Sequence, residues 1–460
     1  HGAAMRRIWM AETDRTGAIA EGISRDETLT RRLLRDCGVP APDVREADSA
    51  GEAWDAALDI GLPVRIRPSA GGRGAFELNT REELETAYAA VAGESGVVRV
   101  EACLPGAGHR LLIVGGKLVA ASRRDAGADA IPEDGRGGGH EIDVTDVVHP
   151  ETAEIAALAA RIVGLDIAGV DLVCGDISRP LGEQGGAVVG VRAGPALLAH
   201  LEPIAGRAIV EHLFPGGAGG RIPIVGISGS HGTTVVARIV ARLLTLSGKR
   251  TGLACGDGLF LDRRLLEKGD CAHWEHAWRL LVNRAVEAAV FENGGEAIAA
   301  EGLAYDRCQI GVVTRFDASR LVGRQHIDTP EHAFDVLRTQ VDLVLADGAA
   351  VLNAESPEIS KMAGLCDGEL IYFARDPSLP IVAAHLKQGK RAVIARHGQI
   401  VLASGASEIP LVRLRDVPLA EGGDAERTED ALAAVGAAWG LGIAPELMRT
   451  GIETFFLSET

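Results

Sequence analysis

With 460 residues, 47% of them hydrophobic and 24% charged, the chain has the apolar content for two or three globular domains and is not of the disordered class. Its 64 acidic residues outweigh 47 basic ones for a formal net charge of -17, which argues against a general nucleic-acid or anionic-membrane binder. No apolar run approaches the roughly 18 residues of a membrane span, and the 7 cysteines show no CxxC or Cys/His zinc spacing, as in a reduced cytosolic protein.

In chain order, His1 to Ala4 ahead of Met5 read as a cloning remnant. "DETLTRRLLRDCGVPAP" predicts a helix ended by Gly38-Val39-Pro40. The pairs Arg31-Arg32, Arg123-Arg124 and Arg263-Arg264 read as solvated faces without function. "GLPVRIRPSAGGRGAF" predicts a strand and a glycine-rich turn, and "HRLLIVGGKLVAASRR" a hairpin about Gly115-Gly116. The glycines and prolines of "FPGGAGGRIP" (214–223) mark a domain boundary.

Beyond it, "RIPIVGIS" predicts a buried strand, and "TTVVARIVARLLTLSGK" a helix with apolar residues at helical spacing, stopping at Gly248. Further strands are expected in "EAAVFE", "QIGVVT", "VDLVLA" and "RAVIAR", with helices between several of them. That alternation implies an α/β, doubly wound, mainly parallel sheet, whose strand carboxyl ends are the default ligand position.

The loop between the first strand and helix, "GSHGTT" (229–234), has the outline of a phosphate loop. Such a loop needs backbone N–H groups, a lysine against the phosphates, and a Ser or Thr hydroxyl for magnesium. Gly229, Gly232 and Thr234 supply the backbone and hydroxyl parts; Thr233 stands where lysine belongs, and the next lysine, Lys249, is at the far end of the helix. His231 is a poor substitute cation, since a loop histidine is more often an exposed residue or a cap. From spacing alone this is a weakened phosphate site.

The runs "ETDRTGAIAEGISRDETLTRRLLRDCGVPAP", "GLDIAGVDLVCGDISRPLGEQGGAVVGV", "HLEP", "LFPGGAGGRIPIVGISGSHGTT", "EGLAYDRCQIGVVT", "DTPEH" and "AVLNAESP" resemble, in order, the cyanophycin synthetase family. The resemblance implies a degenerate ATP-grasp domain (5–215) lacking part of its lid, followed by a P-loop domain of the Mur ligase central type (221–460), with the family's N-terminal and C-terminal ligase domains absent. In that family both halves form amides through acyl phosphates, with ATP and Mg as cofactors. The first adds aspartate to the growing polymer, and the second adds arginine to the aspartate side chain.

Carried over position by position, the resemblance puts the nucleotide-gripping lysine at Arg67, a pocket acid at Glu101 and a magnesium acid at Asp171. The family's Glu-Val-Asn metal end reads Gly190-Val191-Arg192, and a cation there opposes a dication. A piece of the fold that closes over ATP is expected to be missing after "LVAASRRDAGADAIPEDGRGGGHEIDVTDVVHPE", leaving that site open to water. In the second half Glu292 matches a magnesium glutamate, the family's asparagine and histidine fall on Arg315 and Leu321, and its lysines fall near Asp335 and Leu337. "LNAESP", with Asn353, keeps the part near the base and ribose.

The expectation is a catalytically silent paralogue with remnant ATP sites, acting as an interaction, stabilising or regulatory subunit. Its expected partners are an active cyanophycin synthetase, its own copies in a homo-oligomer, or the polymer. The alternatives are a residual amide ligase working through Arg67, Glu101 and Asp171, a nucleotide-binding module without chemistry, and a decayed duplicate that folds and does little.

Overall fold

The computed structural model describes residues 1–9, 11–68, 74–92, 96–124, 141–194, 198–324 and 326–456. Most of the glycine-rich turn after Pro68, and residues 125–140 of the run after which the missing piece was expected, lie outside them. The chain divides into an N-terminal unit, Arg6–Gly219, and a C-terminal unit, Gly220–Thr460 joined by His1–Met5. The division falls inside the glycine-rich stretch 214–223. The segment read as a cloning remnant makes contacts with the C-terminal unit: Ala3 N–H donates to the Val286 carbonyl at 2.7 Å, and Gly2 is buried.

The N-terminal unit contains two larger antiparallel sheets. The four-stranded one runs Val44–Ala47, Val98–Ala102, Val64–Pro68, Ala75–Leu78 in space and packs its core against helices Ala50–Ile60 and Arg81–Val91. Ser49 caps the first helix, and Thr80 and Glu83 form a capping box on the second, so both starts are written locally. The five-stranded one runs Ala187–Arg192, Ile167–Cys174, Ala107–Val114, Lys117–Arg124, Glu141–Asp143, with helix Pro150–Val163 packed on it. The hairpin about Gly115-Gly116 forms as predicted.

The C-terminal unit is one eleven-stranded sheet. Its spatial order is Arg264–Lys268, Gly258–Leu261, Thr251–Cys255, Ala288–Gly294, Ile224–Gly229, Cys308–Val313, Val344–Asn353, Glu369–Ala374, Arg391–Arg396, Gln399–Ser404, Ser407–Arg413. The strands from Thr251–Cys255 to Arg391–Arg396 are parallel, and both ends are finished by antiparallel hairpins. Helices Thr233–Leu246, Ala425–Gly440 and Pro445–Glu453 contribute to the core on one face. Helices Trp274–Leu281 and Pro330–Asp342 contribute to the core on the other, which makes the sheet doubly wound. The loop 229–234 leaves the carboxyl end of a central strand, where such folds bind ligands.

Candidate functional site

Two charged centres hold the residues singled out above, one in each unit. In the N-terminal unit, antiparallel pairing sets Arg65 opposite Glu101 and Arg67 opposite Arg99. Glu101 is fully buried and contacts Arg31 at 2.8 Å, Arg65 at 2.6 Å and Arg67 at 3.0 Å. Arg67 and Arg99 are like charges directly across a ladder, which is unfavourable. Glu27, in the first turn of helix Glu27–Asp36, offsets this by bridging them at 3.1 and 3.2 Å. Burial pushes the Glu101 carboxyl up, and the charges of Arg31, Arg65 and Arg67 more than offset it, holding the group well below the usual carboxylate range.

Asp171 lies in the strand Ile167–Cys174 of the other sheet, with Arg110 opposite it on one side and Gly190 on the other. Arg110 Nε donates to Asp171 Oδ1 at 2.7 Å, and Arg192 Nε donates to Oδ2 at 2.9 Å. Arg192 reaches it diagonally, two residues beyond Gly190 on the same face. A cavity of about 720 Å³ adjoins this arrangement, lined in part by Glu27, Arg99, Gly190 and Arg192.

These contacts correct one expectation. Arg31 is not a solvated helix-face residue: it is 3% exposed and also donates Nε to the Val189 carbonyl, because its helix turns that face inward. Glu101 and Asp171 are themselves fully buried, with guanidinium groups packed around them. Glu27, Arg99 and Arg110 were missed in the sequence. The signal for Arg99 and Arg110, the strand register, exists only once the strands are paired, and that for Glu27 only once its helix is packed.

In the C-terminal unit, Gly232 caps the helix Thr233–Leu246 with φ +82°, and a Cβ there would come within 2.2 Å of Arg315 Nη1. The position therefore demands glycine on both backbone and packing grounds. Glu292, one strand over, accepts from Thr233 Oγ1 at 2.6 Å, Thr234 Oγ1 at 2.8 Å and the Gly256 N–H at 2.6 Å. The loop is tied down further: Ser230 N–H donates to the Arg315 carbonyl at 2.9 Å, and Thr314 Oγ1 donates to the His231 carbonyl at 2.9 Å.

Arg315 brings a cation to this loop and is itself neutralised. Its guanidinium donates to Glu429 at 2.9 Å, to Asp430 at 2.7 Å and to the Glu426 carbonyl. Burial raises the Asp430 carboxyl above its ordinary value, with Arg315 and Arg427 opposing the shift. His231 is no substitute for lysine either, because burial and then Arg315 and Arg320 lower its pKa and favour the neutral ring. Leu321 and Leu337 are core residues, whereas Asp335 is largely exposed.

Asn353 is 3% exposed, and its amide is turned into the protein. Nδ2 donates to the Thr314 carbonyl at 3.0 Å and to Glu429 at 3.3 Å, while Oδ1 accepts from Glu355 N–H at 2.9 Å. Gly229 closes its strand, and its missing side chain leaves room for the Thr314 hydroxyl.

Magnesium and a triphosphate do not fit the N-terminal centre, where both Asp171 oxygens hold guanidinium groups and Gly190 offers no ligand. They fit the C-terminal loop poorly. Thr234 and Glu292 are the right donors, but among the described residues no lysine contacts them, and Arg315 is paired with two carboxylates. Thr233 has become a structural donor instead. Thr233→Val is expected to cost about 1.5–3 kcal/mol, the value of a hydrogen bond to a charged group, read as a lower midpoint in urea; an unchanged midpoint would deny Thr233 that role.

A scan against protein-family profiles finds no match. Among curated proteins, a cyanophycin synthetase from Geminocystis herdmanii is 31% identical over 529 aligned positions, covering 99% of this chain and 60% of the relative. The alignment is longer than the 460-residue chain, so the relative carries internal segments that this chain lacks. A UDP-N-acetylmuramoyl-L-alanyl-D-glutamate--2,6-diaminopimelate ligase from Chlorobaculum tepidum is 27% identical over 233 residues, 45% of this chain and 43% of that protein. A probable alpha-L-glutamate ligase from Aeromonas salmonicida is 29% identical over 178 residues, 37% of this chain and 59% of its own.

Proposed function

Because the chain is a homologue of the cyanophycin synthetases over nearly all of its length, and spans about 60% of theirs, we propose that it is a catalytically silent relative that serves as an interaction or regulatory subunit for an active cyanophycin synthetase. The observation that carries this reading is the pair of guanidinium groups on Asp171. An acid meant for a divalent metal is instead neutralised from within, and an arginine side chain cannot leave as a hydrated ion does.

The C-terminal centre supports the same reading less strongly. Its Thr234 and Glu292 pair favours, as a second possibility, nucleotide binding without chemistry. The test is the thermal midpoint with saturating ATP and magnesium, for the parent and for Thr233→Lys. A ligand at a hundred times its dissociation constant stabilises the folded state by about 2.7 kcal/mol. The silent-subunit reading expects no shift in the parent, together with a mass increase in sedimentation when the protein is mixed with an active cyanophycin synthetase. A parent shift accompanied by phosphate release with aspartate, arginine or polymer would overturn it, as would the absence of any mass change.

A further inference from the structure

The first cysteine-bearing turn of the C-terminal unit contains a group that neither charged centre uses. Glu267, Cys271 and His276 each place one ligand atom within 4.8 Å of the others. Glu267 is on the exposed edge strand Arg264–Lys268, Cys271 is on the connecting turn, and His276 is in the first turns of helix Trp274–Leu281. Three different elements thus meet on one thiol, one imidazole and one carboxylate. The three positions are 4 and 5 residues apart, which is why no paired-cysteine or paired-histidine spacing announces them.

We propose that Glu267, Cys271 and His276 form a Zn²⁺ site that ties the edge hairpin to the helix. The donor set is the argument for the metal. Thiolate and imidazole with one carboxylate suit a borderline-soft tetrahedral ion, whereas magnesium and calcium take oxygen ligands. Bonds of about 2.0–2.3 Å put tetrahedral ligands about 3.5 Å apart, so the group must contract by roughly 1 Å. Cys271 is 1% exposed and fixed; Glu267 is exposed and can move.

The surroundings are already arranged for it. His276 Nε2 lies 3.5 Å from Glu267 Oε1, while Nδ1 of the same ring is buried without a hydrogen-bond partner. The other Glu267 oxygen accepts from Arg279 Nη1 at 2.5 Å. That leaves Oε1 for the ion, with Arg279 orienting the carboxylate from outside, as partners of metal-ligating groups do. The fourth position is left to water. On binding, the Cys271 S–H proton is released to solvent and an S–Zn bond forms, with no change of oxidation state.

The full chain, stripped with a chelator and titrated with Co²⁺ as a spectroscopic probe, is expected to bind one equivalent with a thiolate-to-cobalt charge-transfer band. Zn²⁺ should displace it. Cys271→Ser should abolish the band, and Glu267→Gln and His276→Ala should each weaken Zn²⁺ binding by about 10- to 100-fold or more, whereas Cys37→Ser, with its exposed thiol, should change nothing. Absence of the band in the unsubstituted chain, or its survival in Cys271→Ser, would overturn the site. If Cys271→Ser does not fold, Glu267→Gln decides, because its exposed side chain is dispensable for the core; unchanged Zn²⁺ affinity there refutes the proposal.

Discussion

Glu101→Gln is expected to lower the stability of the N-terminal unit by about 3–5 kcal/mol, the usual consequence of removing one partner of a buried ion pair. The substitution is nearly isosteric, so packing contributes little to the loss. What changes is that Arg31, Arg65 and Arg67 keep their charges around a buried neutral amide. Calorimetry should show the transition of that unit moved down, with that of the C-terminal unit in place. The pH dependence gives an independent check. The folded carboxyl is held below its unfolded value, so its contribution is complete above about pH 4.3 and is lost as the pH falls from there. The gap between parent and variant should therefore narrow on acidification, and a gap that stays constant would mean that ionised Glu101 is not what stabilises the unit.

Arg315→Leu is expected to destabilise the C-terminal unit by at most about 3–5 kcal/mol for the complementary reason, since Arg375 still contacts Glu429 and Arg427 still contacts Asp430. It leaves Glu429 and Asp430, at 8% and 2% exposure, without the guanidinium that lies between them. Burial already raises the Asp430 carboxyl, and without Arg315 its folded pKa would rise further above the unfolded one. Such a group contributes stability at low pH that is lost as the pH rises. The variant's deficit should thus be largest at neutral and alkaline pH and shrink on acidification, as measured by urea unfolding at several pH values. A deficit independent of pH would point to lost packing instead.

The elements themselves were legible. Hydrophobic periodicity and local caps are short-range signals, and they place the helix Thr233–Leu246 and the hairpin about Gly115-Gly116 with little help from the rest of the chain. Position-by-position resemblance also selected Arg67, Glu101, Asp171, Gly190, Arg192, Thr233 and Glu292, and each of these lies in or beside one of the two charged centres. Arg31 shows where local reading stops. An Arg-Arg pair on an amphipathic helix looks solvated until the partner face carries a buried glutamate.

Asn353 shows the same limit from the other side. An intact "LNAESP" reads as a preserved nucleotide contact, yet the side chain is held by Thr314, Glu355 and Glu429, three residues distant from one another in the chain. The Zn²⁺ group is of this kind as well, since its ligands converge through a strand edge, a turn and a helix start.

The sequence by itself determined two α/β halves whose runs resemble the cyanophycin synthetases, and it singled out Arg192, Thr233 and Arg315 as the replacements which that resemblance implies. Tertiary structure alone decided what the replacements do: Arg192 occupies Asp171, Thr233 satisfies Glu292, and Arg315 is bound by Glu429 and Asp430. The physical reason is range. Periodicity and caps act within a few residues, whereas the energy of a buried charge depends on which other charges the fold brings within about 4 Å, and strand register and helix packing set those neighbours.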